Sequence, residues 1–214
     1  AAMLIVRRLP ALGSRLTLRP GSRVDPAWER AGRSALADLA RSAIRPWDGP
    51  APAGCQAVLF RDEAELLACL ALDISLGRAA ERWWWRAFLR RWGSLSPDVV
   101  AALLVESPRA TPAALRMLTE RETAHQVLHR MTPSKAQQVL RAVCEAFDAP
   151  HLARAAATMG RQQQLPASTV ASGQPGEPER AAPPWQPFMP RRAWLNSLTP
   201  PAACLLGVSL ALVF

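Results

Sequence analysis

Three pairs of a hydroxyl residue and a proline divide the middle of the chain: Ser96-Pro97, Thr111-Pro112 and Thr132-Pro133. Serine and threonine are preferred at the N-cap of a helix, and proline is favoured at its first helical position. Glu122-Thr123 indicates one further short helix that ends near Met131. Apolar residues recur with helical spacing throughout, so the sequence predicts a succession of short helices over residues 96–150.

Two of these helix starts resemble each other. SPDVVAALL at 96–104 and TPSKAQQVL at 132–140 align at a separation typical of helical-hairpin repeats, which are about 34–40 residues long. The alignment favours short antiparallel helices stacked in pairs, in the manner of a solenoid.

A long amphipathic helix is predicted over residues 62–92, beginning at Asp62. At about 100° per residue, its apolar side chains form one continuous stripe, with Leu67 and Leu89 on the edge. The stripe contains Leu66, Leu70, Ile74, Trp84, Trp85, Phe88 and Trp92. We therefore expect Trp84 and Trp85 to belong to the core.

The same helix would carry a basic ridge of arginines spaced four apart: Arg78, Arg82, Arg86 and Arg90. Trp83 falls outside the main stripe and shares a second, narrower apolar row with Leu72 and Leu76. It is either a small packing contact, for example under an arginine head, or an exposed aromatic in a basic patch. In the second case it would meet a partner protein, a lipid interface or a phosphate backbone.

The first 60 residues predict a small strand-helix-strand element. Residues 15–19 alternate polar and apolar, and the apolar run at 55–60 is a second candidate strand. Asp25-Pro26 indicates a helix start, and this helix would end near Ile44. Its core-facing side chains would be Trp28, Leu36, Leu39 and Ala43.

Residues 160–190 differ in composition from the preceding helical domain, which we place at 1–159. They are rich in Gln, Pro, Gly and Ser, which predicts a disordered linker. Trp185 and Phe188 are the large apolar residues of its PPWQPFMP segment. They are candidates for a short docking motif or for a membrane interface.

The C-terminal segment, 191–214, follows Arg191-Arg192 with a run that carries no charge. A helix from Thr199-Pro200 to Phe214 would be roughly 22 Å long, short of the ~30 Å hydrocarbon core. Three arrangements fit: a membrane span that is cut short, a short anchor, or a helix packed on the domain. The flanking arginines favour attachment to a membrane, with the domain in the cytoplasm on its inner face.

The charge is strongly positive, with 26 Lys+Arg against 17 Asp+Glu and a formal net charge of +9. A positive chain attracts acidic proteins, nucleic acids or anionic lipids, but the net charge does not distinguish among them. Cys55, Cys69, Cys144 and Cys204 form no CxxC motif and predict free thiols.

No motif of an enzyme is evident, and we expect neither a catalytic residue nor a cofactor. His125 and His129 have a spacing that can bind zinc, with His151 or Glu122 as a third ligand. The residues between them lack the general base of HExxH, and two surface or helix-end histidines are the favoured interpretation.

Residues 58–89, VLFRDEAELLACLALDISLGRAAERWWWRAFL, resemble stretches of bacterial proteins encoded beside phage-tail-like contractile injection systems. The resemblance implies a protein–protein role in assembly or in membrane tethering. It assigns no functional residue.

The sequence thus predicts a mainly α protein with a small N-terminal strand element. The expected function is that of a non-enzymatic interaction scaffold with a protein partner, which a membrane anchor at the C-terminal segment could tether. Two further hypotheses are nucleic-acid binding through the arginine ridge and an accessory role in injection-system assembly. The candidate interaction residues are Arg78, Arg82, Trp83, Arg86, Arg90, Trp185 and Phe188.

Overall fold

The computed structural model describes residues 1–9, 26–93, 97–164 and 182–213. Within these ranges the chain is mainly helical, with a two-stranded antiparallel sheet near its N-terminus. The predicted fold class, mainly α with a small strand element, is confirmed.

Strand β1 (Met3–Val6) pairs with β2 (Ala57–Phe60), so that Met3 lies opposite Phe60 and Val6 opposite Ala57. Both are short runs of apolar residues, with β-branched Ile5, Val6 and Val58 favouring extended backbone. β2 lies within the predicted second strand at 55–60. The first strand is formed by the apolar residues at the start of the chain, and the predicted strand at 15–19 falls outside the described residues.

Helix α1 (Pro26–Ser42) connects the two strands and contacts β2. None of its residues is buried, and Leu36 is 42% exposed. The predicted core positions Trp28, Leu39 and Ala43 are only half-buried. A helix of 17 residues is about 25 Å long, whereas β2 extends about 13 Å, so the strand can cover only part of the helix.

Helix α2 (Glu63–Ser75) begins where it was predicted. Asp62 is its N-cap and accepts a hydrogen bond from the Glu65 backbone N–H at 2.9 Å. The helix ends in a Schellman motif: the Gly77 N–H donates to the Ile74 carbonyl, and the Arg78 N–H donates to the Asp73 carbonyl. Gly77 has φ +71°, in the left-handed region that ends a helix.

The single helix predicted over 62–92 is therefore corrected. After Gly77 the chain forms 3₁₀ turns at Ala79–Glu81 and Trp83–Trp85, separated by extended Arg82, and then helix α3 (Arg86–Trp92). The apolar spacing in the sequence continues across this interruption, but the helical backbone does not. The second apolar row consequently does not form: Leu76 is 41% exposed and Trp83 is half-buried.

Trp84 and Trp85 are buried as predicted, because the 3₁₀ turn returns them to α2 and the sheet. They are 2% and 0% exposed. The Trp85 ring stacks on Phe60 with centroids 5.4 Å apart, and its Nε1 donates to Asp73 Oδ2 at 2.8 Å. This buried hydrogen bond satisfies the indole and joins the end of α2 to the tryptophan turn.

The following helices are short, as the proline pattern predicts. They are α4 (Pro97–Glu106), α5 (Thr111–Glu120), α6 (Ala124–Leu128), α7 (Pro133–Ala146) and α8 (Pro150–Gln164). Thr132 caps α7 and accepts from the Lys135 N–H at 3.3 Å. Thr111 is already helical, and its hydroxyl bonds to the Leu104 carbonyl at 2.9 Å, which joins α5 to α4.

The predicted boundary at 159 and the linker at 160–190 are corrected on both sides. Helix α8 continues to Gln164. Residues 182–190 pack on the domain, with Trp185 only 3% exposed. Residues 165–181 lie outside the described part of the chain.

Helix α9 (Pro200–Ala211) is a central element of the core. It follows Thr199, as predicted, and packs against α5, α7 and α8. Its apolar side chains, including Leu205, Leu206 and Val208, are fully buried in one cluster with those of β2, α2 and α4 to α8. Of the three arrangements considered for the tail, the structure shows the helix packed on the domain.

Among the helices in the described ranges, none combines the length and the apolar character that crossing a membrane requires.

Candidate functional site

The four arginines of the predicted ridge are divided between two places. Arg78 and Arg82 line a cleft beside the C-terminal half of α2, whereas Arg86 and Arg90 are exposed on α3 and do not line it. The ridge prediction is wrong because Gly77 and extended Arg82 interrupt the helix on which it was drawn.

The cleft encloses about 310 Å³, a volume at the lower end of the ~300–1,000 Å³ of small-ligand pockets. We call it the arginine cleft. The loop between α1 and β2 forms one wall, and α2 with the segment after it forms the other. Its lining residues are Pro46, Trp47, Gly49, Pro50, Ala51, Cys69, Leu72, Asp73, Arg78, Arg82, Trp84 and Arg121.

The loop wall is held by an ion pair between half-buried Arg45 and buried Glu65. Glu65 is fully buried, and its Oε2 accepts from Arg45 at 2.8 Å and from the Arg61 backbone N–H at 3.1 Å. Arg45 also pairs with Asp48 at 2.9 Å. The hydrogen bond that Arg45 donates to the Glu65 carboxylate raises the pKa of Arg45. Since Arg45 immediately precedes the lining residues Pro46 and Trp47, the ion pair positions this wall against α2.

Arg82 connects the two walls of the cleft. Its Nη1 donates to the Ala51 carbonyl of the loop at 3.3 Å, and its guanidinium lies 5.4 Å from the ring centroid of Trp84. Its Nε is buried and has no hydrogen-bond partner. The Nε1 of the buried Trp84 side chain is also without an acceptor. Both unpartnered donors belong to residues that line the same cleft.

Arg121 supplies a third guanidinium from the C-terminal end of α5. It lies 4.1 Å from the ring centroid of Trp47, a distance at which the cation stacks on the indole. Sequence reasoning missed both residues. Arg121 and Trp47 are far apart in the chain from Arg82, and no periodicity connects them.

The electrostatics of the arginine cleft favour an anion. Arg78, Arg82 and Arg121 carry three positive charges, and Asp73 is the single carboxylate of the lining, so the formal sum is +2. Asp73 Oδ1 is 3.5 Å from Arg78.

Cys69 contributes no charge to the lining. Burial is the largest cause that raises the pKa of its thiol, and the nearby Glu65 and Asp73 carboxylates raise it further, so the thiol stays neutral.

The remaining predicted interaction residues are dispersed. Trp83 packs edge-on against Trp84, with centroids 5.6 Å apart, and does not line the cleft. The prediction that Trp185 belongs to a docking motif is wrong, because its indole is buried against α9. Phe188 is 38% exposed, and its role in docking stays a prediction.

The histidine pair does not converge on a metal site. The His125 ring lies 5.7 Å from that of Trp194, and His129 Nε2 is 2.9 Å from Ser197 Oγ. In the part of the chain that the structure describes, no three His, Cys, Asp or Glu residues are grouped to hold a metal ion.

Ser197 and His129 form a contact between two elements. Ser197 Oγ donates to the Trp194 carbonyl at 2.6 Å and lies 2.9 Å from His129 Nε2. The contact joins the turn at Ala193–Ser197 to the end of α6.

Comparison of this chain with protein-family models, curated proteins and solved structures gave no match.

Proposed function

We propose that this chain is a non-enzymatic interaction protein that binds an acidic group of a protein partner in the arginine cleft. The proposal rests on one observation: Arg78, Arg82 and Arg121 line the same concave site. Guanidinium groups bind carboxylates and phosphates through planar, forked pairs of N–H donors.

The shape of the cleft favours a single acidic group over a nucleic-acid backbone. A nucleic acid presents successive phosphates, and proteins follow them with an extended basic surface or groove. The predicted ridge would have been such a surface, but Arg86 and Arg90 lie outside the cleft. Nucleic-acid binding is therefore the competing hypothesis that the experiment below must exclude.

Two further expectations stay predictions. A role in the assembly of a contractile injection system depends on the resemblance of residues 58–89 alone. Membrane tethering through residues 193–214 is not part of the proposal, since the apolar side chains of α9 are already buried against α5, α7 and α8.

The test compares two double variants of equal charge. Arg78→Gln with Arg121→Gln removes two cations from the cleft, and Arg86→Gln with Arg90→Gln removes two from α3. Retention of the full chain is measured on immobilised polyglutamate and on a single-stranded oligonucleotide. We expect the cleft variant to lose retention on polyglutamate and the α3 variant to keep it.

The outcome that overturns the proposal is equal retention of both variants on polyglutamate, which would indicate attraction by net charge alone. Stronger retention on the oligonucleotide, reduced chiefly in the α3 variant, would favour nucleic-acid binding. Thermal unfolding followed by circular dichroism shows whether each variant is folded.

A further inference from the structure

We propose that the acidic group selected by the arginine cleft is a phosphate monoester, carried by a phosphorylated side chain of the partner. This inference rests on the proposed function and narrows it. It makes binding conditional on phosphorylation, so that the cleft would act as a reader of a modified partner.

The first argument is charge matching. The lining has a formal charge of +2, from three guanidiniums and one carboxylate. A phosphate monoester carries about −1.5 to −2 at neutral pH, whereas a carboxylate carries a single negative charge. A carboxylate would leave part of the positive charge of the lining uncompensated, and a dianion would neutralise it.

The second argument is the number and direction of the donors. The three guanidiniums approach the cleft from three places: the end of α2, the segment before the tryptophan turn, and the end of α5. A tetrahedral phosphate presents three terminal oxygens to different sides, whereas a carboxylate presents two in one plane. A tetrahedral phosphate can therefore accept hydrogen bonds from all three guanidiniums more readily than a planar carboxylate can.

The third argument is that unsatisfied donors are already present. Buried N–H groups almost always have an acceptor, because desolvating an unpaired donor is unfavourable. Arg82 Nε and Trp84 Nε1 are both buried without one. Both residues line the cleft, so the negative charge of a bound oxyanion would stabilise these N–H dipoles even without a direct hydrogen bond to them.

The fourth argument is that the site is organised before any ligand binds. Arg121 is stacked on Trp47, Arg82 is hydrogen-bonded to the Ala51 carbonyl, and Arg78 is close to Asp73. Side chains that are already ordered lose less conformational entropy on binding. The loop that carries Trp47 and Ala51 is in turn held by the ion pair between Arg45 and buried Glu65.

The experiment uses isothermal titration calorimetry on the full chain with phenyl phosphate and phenyl sulfate. The two probes have the same shape, but at pH 7.5 the phosphate is a dianion and the sulfate a monoanion. We expect phenyl phosphate to bind about tenfold more tightly, which corresponds to one added charge-assisted contact. Arg78→Gln with Arg121→Gln should remove this preference, and Arg86→Gln with Arg90→Gln should retain it.

The pH dependence provides a second readout. The second pKa of a phosphate monoester is about 6, so the preference for phosphate should diminish between pH 7.5 and pH 5.5. The charged or titratable side chains that line the cleft are Cys69, Asp73, Arg78, Arg82 and Arg121, with no histidine among them. Binding of phenyl sulfate should consequently change little over the same interval, which assigns the effect to the probe.

The source of the phosphate is tested with a capped alanine–phosphoserine–alanine tripeptide. Tighter binding of the tripeptide than of phenyl phosphate supports a modified side chain as the ligand. The reverse order overturns that assignment and identifies a small phosphorylated molecule as the ligand. If the double variant does not fold, Arg121→Gln alone tests the site, because Arg121 is exposed.

The two proposals fail in different ways. Equal affinity for phenyl phosphate and phenyl sulfate, both weakened in the cleft variant, overturns phosphate selection and leaves the proposed anion-binding function intact. Absence of binding by either probe, together with retention on polyglutamate that does not depend on the cleft, overturns both.

Discussion

At the scale of single residues, the Trp185 indole lies directly against Gly207 of α9. A Cβ atom built at position 207 would lie 2.0 Å from Cδ1 of the Trp185 indole. Only glycine allows this ring to lie directly on the helix backbone. The contact holds a proline-rich segment on the domain, together with the 3₁₀ turn at Gln186–Phe188, which also packs against α9.

Gly207→Ala should lower the free energy of unfolding by about 1–3 kcal/mol, because the added methyl group overpacks the contact with Trp185. Alanine is the better helix former by about 1 kcal/mol, so the steric cost must exceed this gain for the prediction to hold. The measurement is urea unfolding followed by circular dichroism. Gly54→Ala is the control, since nothing lies within 4 Å of a Cβ at that position. A Gly207→Ala variant as stable as the original chain would contradict the contact.

Some residues of the cleft can be predicted from sequence patterns, and others cannot. The burial of Trp84 and Trp85 follows from their place in an apolar series, and the structure bears it out. Arg121 and Trp47 belong to the cleft only because α5 ends beside the loop before β2. A contact of this kind depends on the packing of distant elements and leaves no local pattern.

At the scale of elements, the end of α2 decides where the arginines lie. Gly77 adopts φ +71°, and the two hydrogen bonds of the Schellman motif close the helix behind it. Arg78 follows directly and is thereby placed beside Asp73 in the cleft. Had the helix continued, Arg78 would have shared a face with Arg82, Arg86 and Arg90.

Gly77→Ala distinguishes the two arrangements by the sign of its effect. In a continuous helix the substitution would stabilise the protein by about 1 kcal/mol. At a left-handed position it should instead destabilise by about 1 kcal/mol, because the added Cβ meets the carbonyl that follows it. Urea unfolding measures the change. Gly49→Ala, at a residue without a positive φ, is the matched substitution and should have a smaller effect.

Helix starts were easier to predict than helix ends. The starts of α2 and α7 follow Asp62 and Thr132, whose side chains cap them, and α9 starts after Thr199 without a capping bond from the threonine side chain. Thr111 is an exception, because its hydroxyl bonds to the preceding helix rather than capping its own. The end of α2 was overlooked because the apolar period continues, by coincidence of spacing, on the far side of Gly77.

At the scale of the whole molecule, α9 closes the core. It brings fully buried apolar side chains, including Leu205, Leu206 and Val208, into contact with α5, α7 and α8. The helices of residues 97–164 therefore complete their packing only with a segment from the C-terminal end of the chain. A division into an independent domain at 1–159 and a separate tail does not describe this core.

Leu206→Ala should destabilise the protein by about 2–5 kcal/mol, the usual range for removing a leucine side chain from a packed core. Leu206 is 0% exposed. Leu36→Ala makes the same chemical change at a residue that is 42% exposed on α1, and it should cost within about 0.5 kcal/mol. Chemical unfolding of both variants gives the comparison. Similar losses at the two positions would contradict the central place of α9.

The sequence by itself determined the helical class, most helix starts, and the burial of Trp84 and Trp85. These properties depend on capping, proline placement and apolar periodicity, which act over a few neighbouring residues. Only the tertiary structure decided where the apolar tail lies, because an uncharged apolar helix is compatible both with attachment to a membrane and with burial in a protein core. It also decided the cleft, since Arg121 lies far from Arg78 and Arg82 in the sequence and the three line one site only through the packing of distant elements.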